Sequence, residues 1–150
     1  MSKFIGVKMI EAVPMTAREA NDKGYRIGNH SFEEDGYEVT YPDGYKSWSS
    51  AKEFEKAYYK LEDPAGDVLK ENDIKRFIKD IENVKVVTKT TNTTTLTCLT
   101  GFEVHGQSTC VKPENFDSNV GSNYARIKAE DKIWESLGFV LQWAKYGLKK

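Results

Sequence analysis

The chain has 150 residues, enough for one ordinary domain or for two small modules, and it needs neither metal nor disulfide to bury a core. Its 22 lysine and arginine residues are balanced by 23 aspartate and glutamate residues, and this net charge of −1 excludes a broadly basic surface that would coat nucleic acid. No apolar signal segment opens the sequence, and no window approaches the roughly 20 apolar residues of a membrane span, so a cytosolic protein without membrane contact is expected.

The first 62 residues are predicted to form one module that begins with a strand and a short helix. Apolar residues recur at a near-alternating period over Lys3–Ala12, which favours a half-buried strand that Pro14 ends. Thr16 and Glu19 have the spacing of a capping box, which predicts a short helix over Ala17–Ala20.

A hairpin and a second helix are predicted to complete this module. Alternation over Tyr37–Trp48 is interrupted by the turn residues Pro42-Asp43-Gly44. Ser50 and Glu53 repeat the capping-box spacing and predict a helix. Its apolar face would be formed by Phe54, Ala57, Tyr58 and Leu61.

Residues 67–83 are predicted to form a connector helix. Apolar residues recur there at helical spacing opposite a charged face. They are Leu69, Ile74, Phe77, Ile78 and Ile81. The pattern leaves open whether this helix packs on a sheet or on a second copy of the chain.

Residues 84–150 are predicted to form a second module with a β region and a long helix. Strand signals begin at Val84-Lys85-Val86-Val87, and seven of the ten residues from Thr88 to Thr97 are threonine, which favours strand geometry. Alternation on both sides of Thr100-Gly101 predicts a second hairpin, and Ser108–Val111 is expected to add a third strand.

The C-terminal part of this module is predicted to be helical. Pro113 is expected to open a helical turn, and a longer helix is predicted over Tyr124–Leu137, closed by Gly138. Phe139–Trp143 then reads as an apolar tail that something must cover, which favours a homo-oligomer. The fold class predicted is α+β, with two small antiparallel β units, each packed with helices and joined by a helical connector.

The sequence contains no motif of a hydrolase nucleophile, a zinc protease, a phosphate-binding loop or a dinucleotide fold, so we expect no enzyme, catalytic residue, metal or cofactor. His30 and His105 lack partners at ligand spacing, and His105 is read as a surface residue at a strand end. Cys98 and Cys110 are too few for a disulfide framework and are expected to be reduced and buried.

A small anion site is one interpretation of the last predicted helix. Its N-terminus would present free N–H groups beside Ser122 and Asn123, with Arg126 and Lys128 in the first turns. In the other interpretation, which spacing alone favours, Ser122 or Asn123 caps the helix and Arg126 pairs with Glu130.

An aromatic side chain beside the second hairpin turn also has two interpretations. Phe102, next to Thr100-Gly101, is placed to stack on a base. An aromatic residue in a hairpin is more often part of a core, and the same holds for Tyr45 and Trp48.

Two stretches resemble proteins of tailed phages. Pro14-Met15-Thr16 with Gly36–Ser49 resembles a small N-terminal phage module. Leu99–Asp117, followed by the Ala125-Arg126 to Trp134 segment, resembles a short phage domain family that is similar to the Thoeris anti-defence sponges of the first type.

That resemblance implies capture of cyclic ADP-ribose isomers without turnover, in the host cytoplasm, in pockets shared between subunits. Some such sponges also bind cyclic oligonucleotides at separate sites of a hexamer, so a dimer or a trimer of dimers is expected. Arg126 is the best phosphate-contact candidate, followed by Ser122 and Asn123, with Phe102 and Asn115 as weaker candidates. The family commonly has a basic pair where this chain has Ser122-Asn123, so an anion-binding pocket here would have less positive charge than is usual in the family.

Two other functions fit the same sequence. A protein-binding inhibitor of a host defence enzyme, of the anti-CRISPR kind, would use exposed aromatic side chains. A phage accessory domain with a structural role is the third reading.

Overall fold

The computed structural model describes residues 1–85 and 90–150. The elements in chain order are β1 Glu11–Pro14, α1 Ala17–Asp22, β2 Gly36–Thr40, β3 Lys46–Ser50, α2 Ala51–Ala57, α3 Glu71–Phe77, β4 Ile78–Lys85, β5 Thr91–Cys98, β6 Glu103–Thr109, a 3₁₀ turn at Pro113–Asn115, and α4 Ser118–Tyr146. The strands form two antiparallel sheets of order β1-β2-β3 and β4-β5-β6, which confirms the α+β class.

The chain divides into two compact units. The first comprises residues 1–60 and 143–150, and the second comprises residues 61–142. None of the helices within the described ranges combines the length and apolarity of a membrane-spanning segment.

The first unit contains the predicted hairpin of β2 and β3, whose turn places Gly44 at a φ of +87°. The strand predicted over Lys3–Ala12 is wrong for most of its length, because β1 begins only at Glu11. Glu11 pairs with Thr40, the last residue of β2, and the chain beyond Thr40 turns back on itself. Residues 1–10 therefore have no strand beside them to pair with, even though their apolar and polar residues alternate as in a strand.

The short helix α1 begins as predicted. The Thr16 hydroxyl accepts the Glu19 N–H at 3.2 Å, and the Glu19 carboxylate accepts the Thr16 N–H at 2.8 Å. Behind this capping box, Ala17 and Ala20 pack with Trp48, whose indole N–H donates to the Met15 carbonyl at 2.8 Å. Trp48 is thus a core residue of the first unit.

The second helix follows Ser50, but it is shorter than predicted and lacks the predicted capping box. Ser50 is buried as the last residue of β3 and makes no capping hydrogen bond, and the Ala51 N–H donates to the Asp35 carbonyl at 2.9 Å. The helix ends at Ala57, so Tyr58 and Leu61 lie beyond it. Tyr58 still stacks on Phe54, with ring centres 4.9 Å apart.

Glu38 on β2 lies at the centre of a polar network. Its carboxylate accepts the Tyr25 hydroxyl at 2.8 Å and lies 3.7 Å from the Lys23 ammonium and 3.8 Å from that of Lys46. The hydrogen bond from Tyr25, assisted by the two lysines, lowers the pKa of Glu38, while burial opposes this shift. The same hydrogen bond raises the pKa of Tyr25.

This network predicts an acid-sensitive contribution to stability. Because the pKa of Glu38 is lower in the folded protein than its ordinary value of 4.5, its stabilisation is present above that value and is lost as pH falls through the folded pKa. We expect Glu38→Gln to be less stable than the wild type at neutral pH, with the difference shrinking as pH falls below 4.5. Urea unfolding at neutral pH and at a series of pH values below 4.5 measures the difference, and a gap that widens on acidification would contradict the prediction.

The connector helix predicted over residues 67–83 is wrong in its second half. Helix α3 covers only Glu71–Phe77, and β4 follows at once. Ile78 pairs with Cys98 and Ile81 with Leu96, across a register shift between Ile78 and Asp80. This bulge allows apolar residues three positions apart to share one face of a strand, although that spacing is typical of a helix.

The core of the second unit lies between α4 and one face of its sheet. Ala129 and Ile133 of α4 pack with Leu96, Cys98 and Val104 of the sheet. Ile74 of α3 completes this cluster, with Leu69, Phe77, Ile78 and Leu137 packed around it. On β5 the buried residues alternate with four half-buried threonines, Thr91, Thr93, Thr95 and Thr97, on the opposite face.

The predicted second hairpin is confirmed by β5 and β6, joined at Thr100-Gly101. The third strand of the sheet is β4, and Ser108–Val111 does not form a separate strand, because β6 runs through Ser108 to Thr109. Of the predicted β region, Val84 and Lys85 belong to β4, whereas Val86, Val87 and Thr88 lie outside the described residues. The predicted turn at Pro113 is confirmed.

The last helix is much longer than predicted. Helix α4 begins at Ser118, includes Gly138, and continues through the expected tail Phe139–Trp143 to Tyr146. It ends where the N–H of Gly147, at a φ of +67°, donates to the Trp143 carbonyl at 2.8 Å. A single glycine costs a helix about 1 kcal/mol, which packing over 29 residues readily offsets.

Candidate functional site

An open groove of about 400 Å³ lies where β6 runs beside α4 in the second unit. Its lining residues are His105, Gly106, Gln107, Lys128 and Lys132. The two lysines are one helical turn apart on α4, and both are exposed. Within residues 1–85 and 90–150, neither ammonium group forms an ion pair. The groove therefore offers two positive charges that no described carboxylate neutralises.

The groove also borders β6, which is an edge strand of its sheet in the part of the chain that the structure describes. The N–H groups of Cys98 and Cys110 donate to the carbonyls of Phe102 and Thr90, which shows which residues of β6 hydrogen-bond to β5. In an antiparallel pair every second residue of a strand bonds to its neighbour, and the residues between them direct their N–H and C=O groups to the other side. The main-chain groups of His105 and Gln107 therefore point away from β5, to the outer edge of the sheet. These N–H groups are hydrogen-bond donors close to the lysine side chains.

His105 lies in the middle of β6, where it is exposed, and not at a strand end as expected. Its Nδ1 atom is 2.8 Å from the Thr95 hydroxyl on the neighbouring strand. This contact orients the imidazole ring on the threonine face of the sheet, opposite the face on which α4 packs.

The anion site predicted at the start of the last helix has a different structure. Because α4 begins at Ser118, Ser122 and Asn123 lie in its second turn and are not at the N-terminus. The N-terminus itself is capped by Asp117, whose carboxylate accepts the Asn119 N–H at 2.9 Å and the Val120 N–H at 3.2 Å. The chain's own carboxylate thus satisfies the N–H groups at the start of α4, and the predicted positions Ser122 and Asn123 lie one turn further along.

Ser122 has a structural role. The amide of the buried Asn92 on β5 donates to the Ser118 carbonyl at 2.8 Å and to the Ser122 hydroxyl at 2.9 Å, and so ties the first turns of α4 to the sheet. Gly121 gives the amide room, since a Cβ there would lie 2.9 Å from Asn92 Nδ2. Asn123 is exposed on the other side of this turn.

Arg126 is paired within the helix. Its Nε donates to Glu130 at 2.8 Å, and about 40% of its side chain is exposed. This is the i,i+4 pair that spacing alone favoured. Arg126 and Lys128 are two residues apart and lie on different sides of α4, so a single small ligand on one copy does not reach both from the groove.

The remaining predicted site residues do not gather around the groove. Thr100 and Phe102 lie in the β5–β6 turn, where the Thr100 hydroxyl accepts the Phe102 N–H at 3.3 Å and Phe102 is 69% exposed. Asn115 is exposed in the 3₁₀ turn before α4. The turn and the Ser122 contact lie at opposite ends of β6, about 20 Å apart at 3.3 Å per residue.

Sequence reasoning identified Lys128 but missed Lys132 and His105 as neighbours of it. Lys128 and Lys132 have i,i+4 spacing, which is visible in the sequence. Their proximity to β6 depends on the packing of α4 across Gly106, where a Cβ would lie 2.1 Å from the Ala125 carbonyl oxygen. A local pattern gives no sign of that contact.

No cluster of three or more metal-ligating side chains occurs in the part of the chain that the structure describes. Cys98 is buried, which raises the pKa of its thiol, whereas Cys110 is only half-buried and donates to the Lys112 carbonyl at 2.9 Å. Cys110 thus differs from the prediction that both thiols are buried.

Residues 69–144 match the model of the phage protein (N4 Gp49/phage Sf6 gene 66) family. The chain belongs to this family. The match includes α3, the second sheet, the groove and most of α4, so the groove lies wholly in the family's own segment. No curated protein and no solved structure matches the chain.

Proposed function

We propose that this phage protein is an anti-defence protein that binds a cyclic nucleotide immune signal in the host cytoplasm and withholds it from its effector without degrading it. The ligands are cyclic ADP-ribose isomers, with cyclic oligonucleotides as a second class. The observation that carries the proposal is the pair Lys128 and Lys132, two cations that no carboxylate among the described residues pairs with, in a groove of about 400 Å³ within the family segment. The resemblance to the Thoeris sponges supports the choice of ligand.

The groove has the donors that a compact phosphate ligand needs. Side chains at i and i+4 have Cβ atoms roughly 6 Å apart, so the two ammonium groups can contact neighbouring phosphates of one cyclic molecule. Edge N–H groups of β6 add directional donors beside them. Sequestration requires affinity alone, and micromolar binding corresponds to about −8 kcal/mol.

The sequence-predicted residues enter the proposal through a second subunit. Phe102 lies in the turn before β6 and Asn115 in the 3₁₀ turn after it, so a pocket that used a stacked base and a polar clamp together would take them from different copies. This agrees with pockets shared between subunits, as the resemblance implies. Arg126 would contact a phosphate either by giving up its ion pair with Glu130 or by using guanidinium N–H groups that this pair does not occupy.

Removing the two groove charges should weaken binding. We expect Lys128→Gln/Lys132→Gln to raise the Kd for a cyclic ADP-ribose isomer or a cyclic dinucleotide by about tenfold or more, equivalent to about 1.4 kcal/mol. Isothermal titration calorimetry measures it at matched ionic strength, because salt screens exposed charges. The control Lys149→Gln/Lys150→Gln removes the same charge at the exposed C-terminus and should leave Kd unchanged.

Three further observations separate the proposal from the enzyme and the protein-binding inhibitor. Heating the complex should release intact ligand, detected by mass spectrometry, whereas a hydrolysed product would indicate an enzyme. Absence of binding to every cyclic nucleotide tested would overturn the proposal. A stoichiometric host protein recovered with the chain would then favour the protein-binding inhibitor.

A further inference from the structure

A second groove, of about 320 Å³, lies in the first unit. It is lined by the loop at residues 26–30, between α1 and β2, and by the end of β3 and the first turn of α2. The family match covers residues 69–144, so this first-unit groove lies outside the family segment. A ligand bound here is therefore independent of the cyclic nucleotide proposed for the second unit.

Contacts with the core of the first unit hold the loop of this groove in place. Ile27 packs against the buried cluster that includes Trp48. The His30 ring meets the Trp48 ring edge-on, with ring centres 5.4 Å apart, and its Nδ1 lies 2.8 Å from the Glu34 carboxylate. The lining of the groove is thus in position before a ligand arrives, which lowers the entropic cost of binding.

The groove contains a buried hydroxyl group without a hydrogen-bond partner. Ser50 is 3% exposed and is one of the lining residues. Its hydroxyl does not cap α2, and no residue in the described part of the chain forms a hydrogen bond with it. Burying a hydroxyl without a partner is unfavourable, so a polar ligand atom that bonds to Ser50 would replace the lost contact with water.

Two opposite charges in the lining do not neutralise each other. Arg26 and Glu53 both line the groove, and both are exposed. Among the residues that the structure describes, neither one forms an ion pair. The His30 ring is already bonded to Glu34. A simple anion would be repelled by Glu53 and a simple amine by Arg26, whereas a ligand with both charges complements both residues.

We infer that the first-unit groove binds a small zwitterion, an α-amino acid with an apolar side chain. Arg26 binds the carboxylate through its guanidinium fork, Glu53 accepts the ammonium group, and the Ser50 hydroxyl supplies a further hydrogen bond. Ile27 and Trp48 are the apolar part of the lining and favour an aliphatic side chain. A longer peptide is a poorer match, because its two terminal charges are farther apart than those of a single amino acid.

Titration of the full chain with L-leucine and two truncated analogues tests the inference. Isocaproate lacks the ammonium group and isoamylamine lacks the carboxylate, but both keep the apolar side chain. In two-dimensional NMR spectra we expect leucine to shift the resonances of residues 26–30 and the indole N–H of Trp48. A ligand of this size should bind with a Kd of about 1 mM, at least tenfold below that of either analogue. Absence of these shifts at about 10 mM leucine, or an analogue that binds as tightly as leucine, would overturn the inference.

Two substitutions assign the charges to the two ends of the ligand. Arg26→Gln should raise the Kd for leucine at least tenfold without weakening isoamylamine, and Glu53→Gln should do the same without weakening isocaproate. Lys52→Gln and Glu11→Gln remove the same charges at exposed positions outside the groove and should leave Kd unchanged. A folded Arg26→Gln or Glu53→Gln protein that binds leucine as the wild type does would contradict the assignment. Equal weakening of leucine and both analogues would also contradict it, since that pattern indicates a structural effect. The comparison of the three ligands on the wild type decides the inference even if a variant does not fold.

Discussion

Gly106→Ala is expected to lower the free energy of unfolding by about 3 kcal/mol, at the upper end for an added methyl group in a packed core. A Cβ at this position would lie 2.1 Å from the Ala125 carbonyl oxygen and 2.5 Å from the Ala129 nitrogen. Both are main-chain atoms of α4, which cannot move aside as a side-chain end can. The helix would have to lift from β6, and the contacts of Ala129 and Ile133 with the sheet would loosen.

The glycine in α4 itself is the matched control. Gly138 has no atom within 4 Å of a Cβ built on it, and it lies in a helix interior, so Gly138→Ala should raise stability by about 0.5 to 1 kcal/mol. Urea unfolding of both variants measures the two effects, which have opposite signs. A neutral Gly106→Ala would mean that α4 does not approach β6 as closely as the structure shows. Because the same approach shapes the groove, that result would also weaken the ligand proposal.

Most elements specified by nearby residues were predicted well, although the capping box expected at Ser50 and Glu53 is absent because Ser50 is the last residue of β3. The Thr16 and Glu19 capping box and the turn of the first hairpin depend on side chains within a few positions of each other, and both are present. The second hairpin has the same property. The α+β class follows from these local signals without any knowledge of tertiary contacts.

Elements that depend on a distant partner were predicted poorly. Ile78 and Ile81 have helical spacing, but the bulge in β4 lets both serve a strand once β5 is available to pair with. Lys3–Ala12 alternates, but only its last two residues find β2 beside them. In both cases the intrinsic preference of a residue for helix or strand is about a few tenths of a kcal/mol, so the presence or absence of a neighbouring strand decides which structure forms.

The candidate site could be predicted only in part, because its geometry comes from one helix boundary and one packing contact. Moving the start of α4 from Tyr124 to Ser118 takes Ser122 and Asn123 away from the helix end and gives that end to Asp117. Lys128 then lines a groove together with Lys132 and residues of β6. Helix ends are the least certain part of any pattern, and here six residues change the chemistry of the site.

Asp73→Ala is expected to cost about 3 to 5 kcal/mol of stability, because it removes one carboxylate with several partners from a fully buried position. The Asp73 carboxylate accepts the Glu62 N–H at 2.8 Å, the Lys70 N–H at 2.9 Å and an Arg76 N–H at 2.8 Å. It thereby holds the irregular segment 61–70 against α3. Alanine would leave two main-chain donors without this acceptor.

Glu71→Ala is the control, because it removes a negative charge from α3 without removing a buried carboxylate. Glu71 pairs with Lys75 at 2.7 Å, but both side chains are at least half exposed, so Glu71→Ala should change stability by no more than about 0.5 kcal/mol. Thermal and urea unfolding of the two variants, together with Asp73→Asn, give the comparison. Asparagine keeps the shape and one acceptor oxygen but loses the charge, so it should fall between the wild type and alanine. If Asp73→Ala is no worse than Glu71→Ala, the carboxylate does not organise this segment, and the ordering of residues 61–70 must come from the apolar contacts of Leu69 with the core.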